Sequence, residues 1–203
     1  MTTDKLYKIF KHIPKLSTDR LLLRKINAGD VSDIFEYSSV DEVSRYLLWY
    51  PHPSIEYTKN YVGRVLDDYK NGRFYDWAIE LSSGERIGKM IGTCGFTSFD
   101  LNNNCAEVGY VLNMDHWGRG YASEALTRVI QFGFEALMLH RIEARFIIGN
   151  DKSLAVMKKC GMQFEGIRRS SMIVKGRYTD IGVCSIISTD YFLNKNALRE
   201  IDI

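Results

Sequence analysis

The spacing of apolar residues changes along the chain, and this change predicts the secondary structure. Over residues 28–38 and 55–70 apolar side chains recur three or four positions apart, which is typical of helices with one buried face. From residue 74 onward they come in short runs bounded by glycine or asparagine, which indicates strands. The pattern predicts strands at 20–24, 74–81, 89–99, 106–112, 141–148, 164–173 and 180–188, and helices at 28–38, 55–70, 122–137 and 152–160.

The order of these elements is β-α-α-β-β-β-α-β-α-β-β. A meander of antiparallel strands leads into a β-α-β crossover, which favours an α/β (α+β) fold with a mixed, mostly antiparallel central sheet and helices on both faces. The sequence contains no internal repeat, low-complexity tract or Gly/Ser/Pro linker. We therefore predict a single domain over residues 16–203, preceded by an extension over residues 1–15.

Composition narrows the classes of function. The 203 residues include 27 basic and 25 acidic side chains, so no general charge excess favours nucleic acid or anionic membranes as partners. The four cysteines and four histidines show no metal-ligand spacing, so no metal is expected. The N-terminus lacks a continuous apolar run, and other apolar stretches are too short to cross a bilayer. We expect a cytoplasmic protein with reduced thiols.

A glycine-containing turn between strand 106–112 and helix 122–137 carries the strongest chemical signal. It reads Trp117-Gly118-Arg119-Gly120-Tyr121-Ala122. A glycine turn that opens a helix presents free backbone N–H groups at the positive end of the helix dipole, which suits phosphate or pyrophosphate. It is neither a Walker A loop, since no Gly-Lys-Ser/Thr follows, nor a dinucleotide fingerprint, since the third glycine is missing.

The neighbourhood of the turn resembles a known family. The preceding strand reads Ala106-Glu107-Val108-Gly109-Tyr110, and Ser123-Glu124-Ala125 extend the turn into the helix. Together they resemble the acetyl-CoA-binding motif of the GNAT superfamily. Trp117 replaces the usual Gln or Arg, as in the RimJ/RimL-type branch of ribosomal-protein N-terminal acetyltransferases. Similar segments at 18–24, 91–96, 140–144, 150–153 and 159–166 extend the resemblance over roughly residues 16–192.

The resemblance implies a single GNAT-like domain that transfers an acetyl group from acetyl-CoA to a primary amine, with an N-terminal α-amine of a protein or peptide expected as acceptor. Strand residues would pair with the pantetheine arm, and the glycine turn would hold the pyrophosphate. The implied cofactor contacts are Tyr110, Val111, Leu112, Trp117, Gly118, Arg119, Gly120, Tyr121, Ala122, Ser123, Asn150 and Lys159. A solvated turn residue is the alternative for Arg119, and a simple turn for Asn150.

Two residues are candidates for proton transfer. Glu107 shares a strand face with Gly109 and Val111, so that its carboxylate would lie near the thioester and act as general base, directly or through a water. The alternative is an ion pair with Arg or Lys, or a backbone cap. Ser153 matches the serine of the family's Asn-x-x-Ser segment, where a hydroxyl protonates the leaving thiolate. Its alternative is capping of a short helix.

Further interpretations stay open in the sequence. Tyr46, Trp49, Tyr50 and His52 fall where the family has acceptor-side loops, or they belong to the core and its rim. The acceptor could instead be a small amine such as an amino-acid analogue, polyamine or antibiotic. A CoA-binding module without catalysis, and an acyl-enzyme formed through Cys105, are alternatives of another kind. Nothing in the sequence decides between a monomer and a homodimer.

Overall fold

The computed structural model describes the backbone of residues 2–201 and the side chains of residues 2–193 and of Lys195. Residue 1 of the predicted extension and residues 202–203 of the predicted domain lie outside the described residues. The helices are α1 (Thr3–Lys11), α2 (Val31–Ser38), α3 (Asp41–Ser44), α4 (Ile55–Lys70), α5 (Tyr121–Glu135), α6 (Asp151–Lys159) and α7 (Ser188–Ile201). The strands are β1 (Leu16–Ser17), β2 (Leu21–Arg24), β3 (Asp76–Leu81), β4 (Met90–Asp100), β5 (Cys105–Leu112), β6 (Arg141–Ile147), β7 (Gln163–Val174) and β8 (Arg177–Ile187).

All eight strands form one sheet in the order β1-β2-β3-β4-β5-β6-β8-β7. Among the described strands only β5 and β6 pair in parallel, and α5 is the crossover between them, as parallel neighbours require. The other neighbours are antiparallel. The predicted mixed, mostly antiparallel sheet with helices on both faces is therefore confirmed, as is the predicted order of the main elements.

The two faces of the sheet can be told apart at β3. Trp77 lies 5.5 Å from Phe132 of α5, measured between ring centroids, so it points to the face that α5 covers. Asp76 precedes Trp77 in the strand and points to the opposite face, here called the α4 face, where α2 and α4 pack. Pairing of Asp76 with Gly95 and of Gly95 with Gly109 puts these three residues in one row across β3, β4 and β5.

Strands β5 and β6 separate after a short paired segment. Their parallel pairing joins Cys105–Val108 only to 141–144, although β5 continues to Leu112 and β6 to Ile147. Residues 109–112 consequently have no strand partner on the β6 side. We call this wedge-shaped opening the β5–β6 cleft.

Four elements were not predicted: α1, β1, α3 and α7. The sequence did not predict α1 because its buried residues are just Leu6 and Phe10, which lie among lysines. Phe10 is fully buried, 5.7 Å from the ring of Trp77, and the indole N–H of Trp77 donates to the carbonyl of Pro14 at 2.7 Å. The segment predicted as an extension therefore contributes side chains to the core.

The β7–β8 hairpin is longer than its pattern indicated. Lys175 and Gly176 both have positive φ, 50° and 81°, as a tight two-residue hairpin turn requires. The turn brings Val174 and Arg177 into register, so β8 begins at Arg177 rather than at residue 180. Within the part of the chain that the structure describes, no helix is long and apolar enough to cross a membrane.

Candidate active site

The glycine turn has the backbone geometry that an anion site needs. Gly118 and Gly120 have φ of 73° and 81°, in the left-handed region that favours glycine. Gly120 is the N-cap of α5, and no side chain caps this helix among the described residues. The first amides of a 15-residue helix are therefore left available to a ligand.

The turn is fastened to the first part of the sheet by Arg20. Its Nη1 donates to the carbonyl of Arg119 at 3.1 Å, and its guanidinium lies 4.5 Å from the ring centre of Tyr121. Glu124 of α5 accepts from Arg20 Nε at 2.7 Å and from the Thr18 hydroxyl at 2.5 Å. Although burial opposes ionisation of Glu124, these hydrogen bonds lower its pKa.

Cationic groups surround the turn. The position that a Cβ would take on Gly120 is 3.4 Å from Arg20 Nη2 and 3.9 Å from Lys159 Nζ. Arg119 itself is exposed. A cavity of about 430 Å³ adjoins the turn, and its wall has both charges, with Arg86 and Arg119 beside Glu85 and Asp115. The positive charge next to Gly120 therefore comes from Arg20 and Lys159, which suit the phosphates of a nucleotide.

The other predicted residues of the turn hold its shape. The indole N–H of Trp117 donates to the carbonyl of Leu112 at 2.8 Å, which joins the end of β5 to the turn. The Ser123 hydroxyl donates to the carbonyl of Gly120 at 2.9 Å. Tyr121 and Ala122 are partly buried against the core.

The end of β5 offers both backbone and a side chain. Residues Tyr110, Val111 and Leu112 lie along the β5–β6 cleft, where their backbone groups have no partner on β6. The Tyr110 side chain points to the α5 face, and its hydroxyl is 2.7 Å from Ser153 Oγ and 3.0 Å from the Ser153 carbonyl. Burial raises the pKa of Tyr110, so the phenol stays protonated. The sequence had assigned Tyr110 only a backbone role.

Ser153 and Asn150 lie together at the start of α6. Asn150 is the N-cap, and its Oδ1 accepts from the Ser153 N–H at 3.2 Å. The turn role that was left open for Asn150 is thus present. Ser153 keeps its hydroxyl free of capping and directs it to Tyr110, beside the cleft.

The carboxylates near β5 on the α4 face are mostly neutralised. Glu107 forms an ion pair with Arg145 of β6, which is the alternative that the sequence left open, and this contact raises the pKa of Arg145. Arg141 pairs with both Glu143 and Glu165. This pairing lowers the pKa of Glu165 to about 2.

Asp76 is a residue that sequence reasoning missed. Its Oδ1 is buried and has no hydrogen-bond partner, and burial raises its pKa to about 7. The only signal in the sequence was a carboxylate directly before the apolar run of β3. A Cβ on Gly95 would collide with Oδ1, so glycine there makes room for the carboxylate.

The predicted aromatic cluster divides into two parts. His52 is buried, its Nδ1 is 2.8 Å from the Thr58 hydroxyl, and its ring packs against Trp49 and Tyr61, with centroids 5.5 and 5.6 Å away. Burial lowers the pKa of His52, so the imidazole is neutral near pH 7. Tyr50 is exposed, and Lys175 Nζ lies 5.4 Å from its ring centre. Tyr46 reaches the turn after β6, with its hydroxyl 3.6 Å from the position of a Cβ on Gly149.

The thiols do not resemble nucleophiles. Cys105 donates to the carbonyl of Asn103 at 3.1 Å, and burial raises its pKa, which lowers the thiolate fraction. Burial also raises the pKa of Cys94, Cys160 and Cys184. Across the described residues, no three His, Cys, Asp or Glu side chains are grouped to hold a metal ion.

Comparison with known proteins gives a consistent answer. A family model described as "Acetyltransferase (GNAT) domain" matches residues 20–163. The chain is 34% identical over 176 residues to uncharacterized N-acetyltransferase p20 of Bacillus licheniformis, covering 87% of this chain and 97% of the relative. It is 37% identical over 174 residues to uncharacterized N-acetyltransferase YoaA of Bacillus subtilis (strain 168), covering 86% and 97%.

A solved structure has the same architecture. The acetyltransferase (GNAT family) from Bacillus anthracis superposes with a TM-score of 0.76 at 28% identity, covering 87% of this chain and 99% of that one. Two more distant relatives have named acceptors. One is the [ribosomal protein uS5]-alanine N-acetyltransferase of Escherichia coli (strain K12), which is 24% identical and covers 89% of this chain and 95% of its own. The other is the spermidine N(1)-acetyltransferase of Vibrio cholerae, which is 23% identical and covers 87% of this chain and 98% of its own.

Proposed function

Because this chain belongs to the GNAT acetyltransferase family, which uses acetyl-CoA as acetyl donor, we propose that it acetylates the N-terminal α-amine of a protein or peptide. The family makes the chain an N-acetyltransferase. Family membership alone does not give the acceptor or the site residues, and we propose both. The same holds for the domain division at residues 15 and 16, the oligomeric state and the cytoplasmic location.

The main support for an acetyl-CoA site is the β5–β6 cleft, which leads to the glycine turn. Unpaired backbone groups at Tyr110 and Leu112 can take the amides of a pantetheine arm as a strand would, whereas the groups of Val111 are directed to Thr93 of β4. The arm would lead to the free amides at Gly120, where Arg20 and Lys159 supply positive charge for the pyrophosphate. The N–H of Asn113 donates to the carbonyl of Ile91 in β4 at 2.7 Å, so Val111, two residues earlier, also directs its N–H to β4. The N–H of Tyr110 or Leu112, rather than that of Val111, would then face the thioester oxygen and stabilise the oxyanion.

We assign Ser153 as proton donor to the leaving thiolate. Its hydroxyl lies beside the cleft and is held by Tyr110 at 2.7 Å, so a proton given up by Ser153 can be replaced along this hydrogen bond. Glu107 lies on the opposite side of β5, where an acceptor would enter, and we propose that it receives a proton from the reacting amine through a water. Its ion pair with Arg145 keeps the carboxylate oriented.

Charge on the α4 face favours an acceptor with one amine over a polyamine. A polyamine site needs several unpaired carboxylates, whereas Glu107, Glu143 and Glu165 are each paired with arginine. The more distant uS5-alanine relative acetylates a protein N-terminus, which agrees with a peptide acceptor. The spermidine relative makes a small amine the competing candidate.

Release of the CoA thiol from acetyl-CoA tests the proposal. We would compare three otherwise identical peptides: one with a free N-terminus and no lysine, one with an acetylated N-terminus and one lysine, and one acetylated without lysine. Spermidine and an aminoglycoside would be assayed in parallel. The thermal shift with acetyl-CoA alone reports donor binding without any acceptor.

Turnover confined to the free N-terminus is the expected result. Turnover of the acetylated lysine peptide would move the assignment to side-chain amines, and turnover of spermidine alone would replace the α-amine by a polyamine. A thermal shift without turnover on any acceptor would support a CoA-binding module. Absence of both would contradict the donor site.

A further inference from the structure

The carboxylate of Asp76 is unusual among the acidic groups that the structure describes. Its Oδ1 is enclosed by protein and lacks a hydrogen-bond partner, although the residue as a whole is only partly buried. Leaving a buried acceptor unsatisfied costs stability, about 1–3 kcal/mol in typical proteins. Such a group calls for an explanation. A ligand that donates hydrogen bonds to the other carboxylate oxygen, Oδ2, which is not enclosed, is one.

The position of Asp76 links it to the reaction. Asp76, Gly95 and Gly109 form one row on the α4 face, and Gly109 begins the segment of β5 that lines the β5–β6 cleft. The carboxylate lies over Gly95, where any larger residue would displace it. Paired Cα atoms in neighbouring antiparallel strands are about 4.5–5.5 Å apart, so the carboxylate over Gly95 is about one strand spacing from Gly109, and the cleft lies on the far side of that strand.

The groups around Asp76 provide no counter-charge. Those that interact with it electrostatically are Tyr37 of α2, Tyr61 and Tyr69 of α4, and Cys94 of β4. Burial raises the pKa of all four, so each is neutral near pH 7. Tyr61 also packs against His52, which connects Asp76 to the aromatic cluster.

Nearby carboxylates are already satisfied by arginine. Glu80 of the same strand pairs with Arg24, which also pairs with Asp30, and Glu107 pairs with Arg145. No ion pair is present at Asp76 among the described residues. The cation that this carboxylate lacks matches the ammonium group of an amine acceptor.

We propose that Asp76 binds the ammonium of the acceptor and takes its first proton. The proposal rests on the acetyl transfer proposed above and applies to any primary amine. It differs from the role of Glu107, because a carboxylate already engaged by arginine is poorly placed to bind an ammonium ion.

Two groups must accept the protons that the ammonium loses during the reaction. The ammonium gives one proton to Asp76, and the freed lone pair attacks the thioester carbonyl, forming the C–N bond and an oxyanion. The positively charged nitrogen of this intermediate is far more acidic than the free ammonium, so Glu107 can take its second proton through a water. The C–S bond then breaks, and the thiolate takes a proton from Ser153. The products are the acetylated amine, the CoA thiol and one proton, which Asp76 and Glu107 return to solvent after Ser153 is reprotonated.

The acidity of Asp76 suits this role. Burial without a partner raises its pKa to about 7, where a general base is both ionised and basic enough at neutral pH. An ammonium that docks beside it would lower that pKa, because an opposite charge favours the ionised form.

Two measurements test the proposal, on the full-length protein. The first is kcat/KM against pH from 5.5 to 9 with the most active amine of the acceptor panel, for wild type, Asp76→Asn, Glu107→Gln and the control Asp67→Asn. Asp67 is an exposed carboxylate of α4 whose side chain is 70% accessible. Calorimetry gives the Kd for acetyl-CoA of each variant. We expect Asp76→Asn to lose about 10²–10³-fold in kcat/KM and the acid limb near pH 7, with Kd within twofold.

The second measurement does not depend on turnover. Carbon-13 NMR follows the Asp76 carboxyl in the CoA-bound protein, with Asp76→Asn identifying the resonance, during addition of ethylammonium or, as the uncharged control, ethanol. A pKa near 7 that falls only with ethylammonium supports the proposal. Three results would overturn it. They are an ordinary pKa near 3.9, a pKa that ethylammonium does not change, and a kcat/KM of Asp76→Asn within threefold of wild type at every pH. If no amine in the panel reacts, the acetyl acceptor has failed, and the titration still decides whether Asp76 binds an ammonium.

Discussion

The hydroxyl of Tyr110 on β5 meets the hydroxyl of Ser153 on α6 at 2.7 Å, directly beside the cleft between β5 and β6. The two residues are far apart in sequence, and the contact depends on the parallel pairing of β5 with β6, because α6 follows the end of β6. The pair joins the strand that would hold the donor to the group proposed to protonate its thiolate.

Removing either hydroxyl tests this pair. Ser153→Ala is expected to lower kcat by about 10²-fold, the lower end of the range for a lost general acid, while KM for acetyl-CoA changes little. Tyr110→Phe keeps the ring and should cost less, because Ser153 remains and solvent can replace its partner. Equal kcat for wild type and Ser153→Ala, with the fold intact by circular dichroism, would remove Ser153 from the mechanism.

Replacing Gly120, the N-cap of helix α5, is predicted to weaken the binding of acetyl-CoA. At φ of 81° an alanine is strained by about 1–2 kcal/mol, and its methyl would enter the space between Arg20 and Lys159. We expect Gly120→Ala to weaken acetyl-CoA binding at least tenfold by calorimetry. Gly63→Ala is the matched control: Gly63 lies inside α4 with open space around it, so alanine should stabilise the fold by about 1 kcal/mol and leave binding unchanged.

Arg20 is expected to act on the phosphate end of the donor only. Arg20→Gln removes the guanidinium that contacts the carbonyl of Arg119 and approaches Gly120. The KM for acetyl-CoA should rise about tenfold, whereas kcat/KM for S-acetyl-pantetheine, which lacks the nucleotide, should be nearly unchanged. A parallel loss with both donors would mean that Arg20 supports the fold rather than the phosphates.

Cys105 is predicted to be dispensable. Its thiol is hydrogen-bonded to Asn103, and its raised pKa keeps it protonated near pH 7. Cys105→Ala should retain kcat within about twofold, and no acetylated protein should be found by mass spectrometry after mixing with acetyl-CoA alone. A stable acetyl-enzyme that disappears in Cys105→Ala would favour the acyl-enzyme route instead.

Asp76 should make the protein less stable in alkaline solution. Its folded pKa of about 7 lies above the unfolded value of about 3.9, so the folded state binds the proton more tightly. Its favourable contribution is complete below pH 4 and is lost as the pH rises towards 7. Asp76→Asn should therefore raise Tm at pH 8, by about 2–4 °C for each kcal/mol regained, and have little effect at pH 4. An equal change in Tm at both pH values would show that ionisation is not the cause.

The sequence predicted the fold and the glycine turn before α5, but it did not predict Asp76. The donor side is built from consecutive residues, since Gly118 and Gly120 signal their own backbone geometry and Ser123 follows in the same helix. Asp76 could not be found in this way, because its significance depends on Gly95 in the next strand and on the absence of a cation in three-dimensional space. The partner of Glu107 was equally hidden, since Arg145 meets it only through the pairing of β5 with β6. Helix α1 was missed because two buried residues among lysines make too weak a periodic signal.

In the part of the chain that the structure describes, four residue pairs join β5 to β6, so the two halves of the sheet meet along a short seam. A pantetheine arm lying in the cleft would continue that seam, with its amides in place of the missing strand. The bound donor would thereby extend the sheet as well as supply the acetyl group. When CoA leaves after each turnover, the edge of β5 would again be unpaired. Amide hydrogen exchange at Tyr110 and Leu112 would then report the occupancy of the enzyme directly, slowing when CoA is bound and quickening when it leaves.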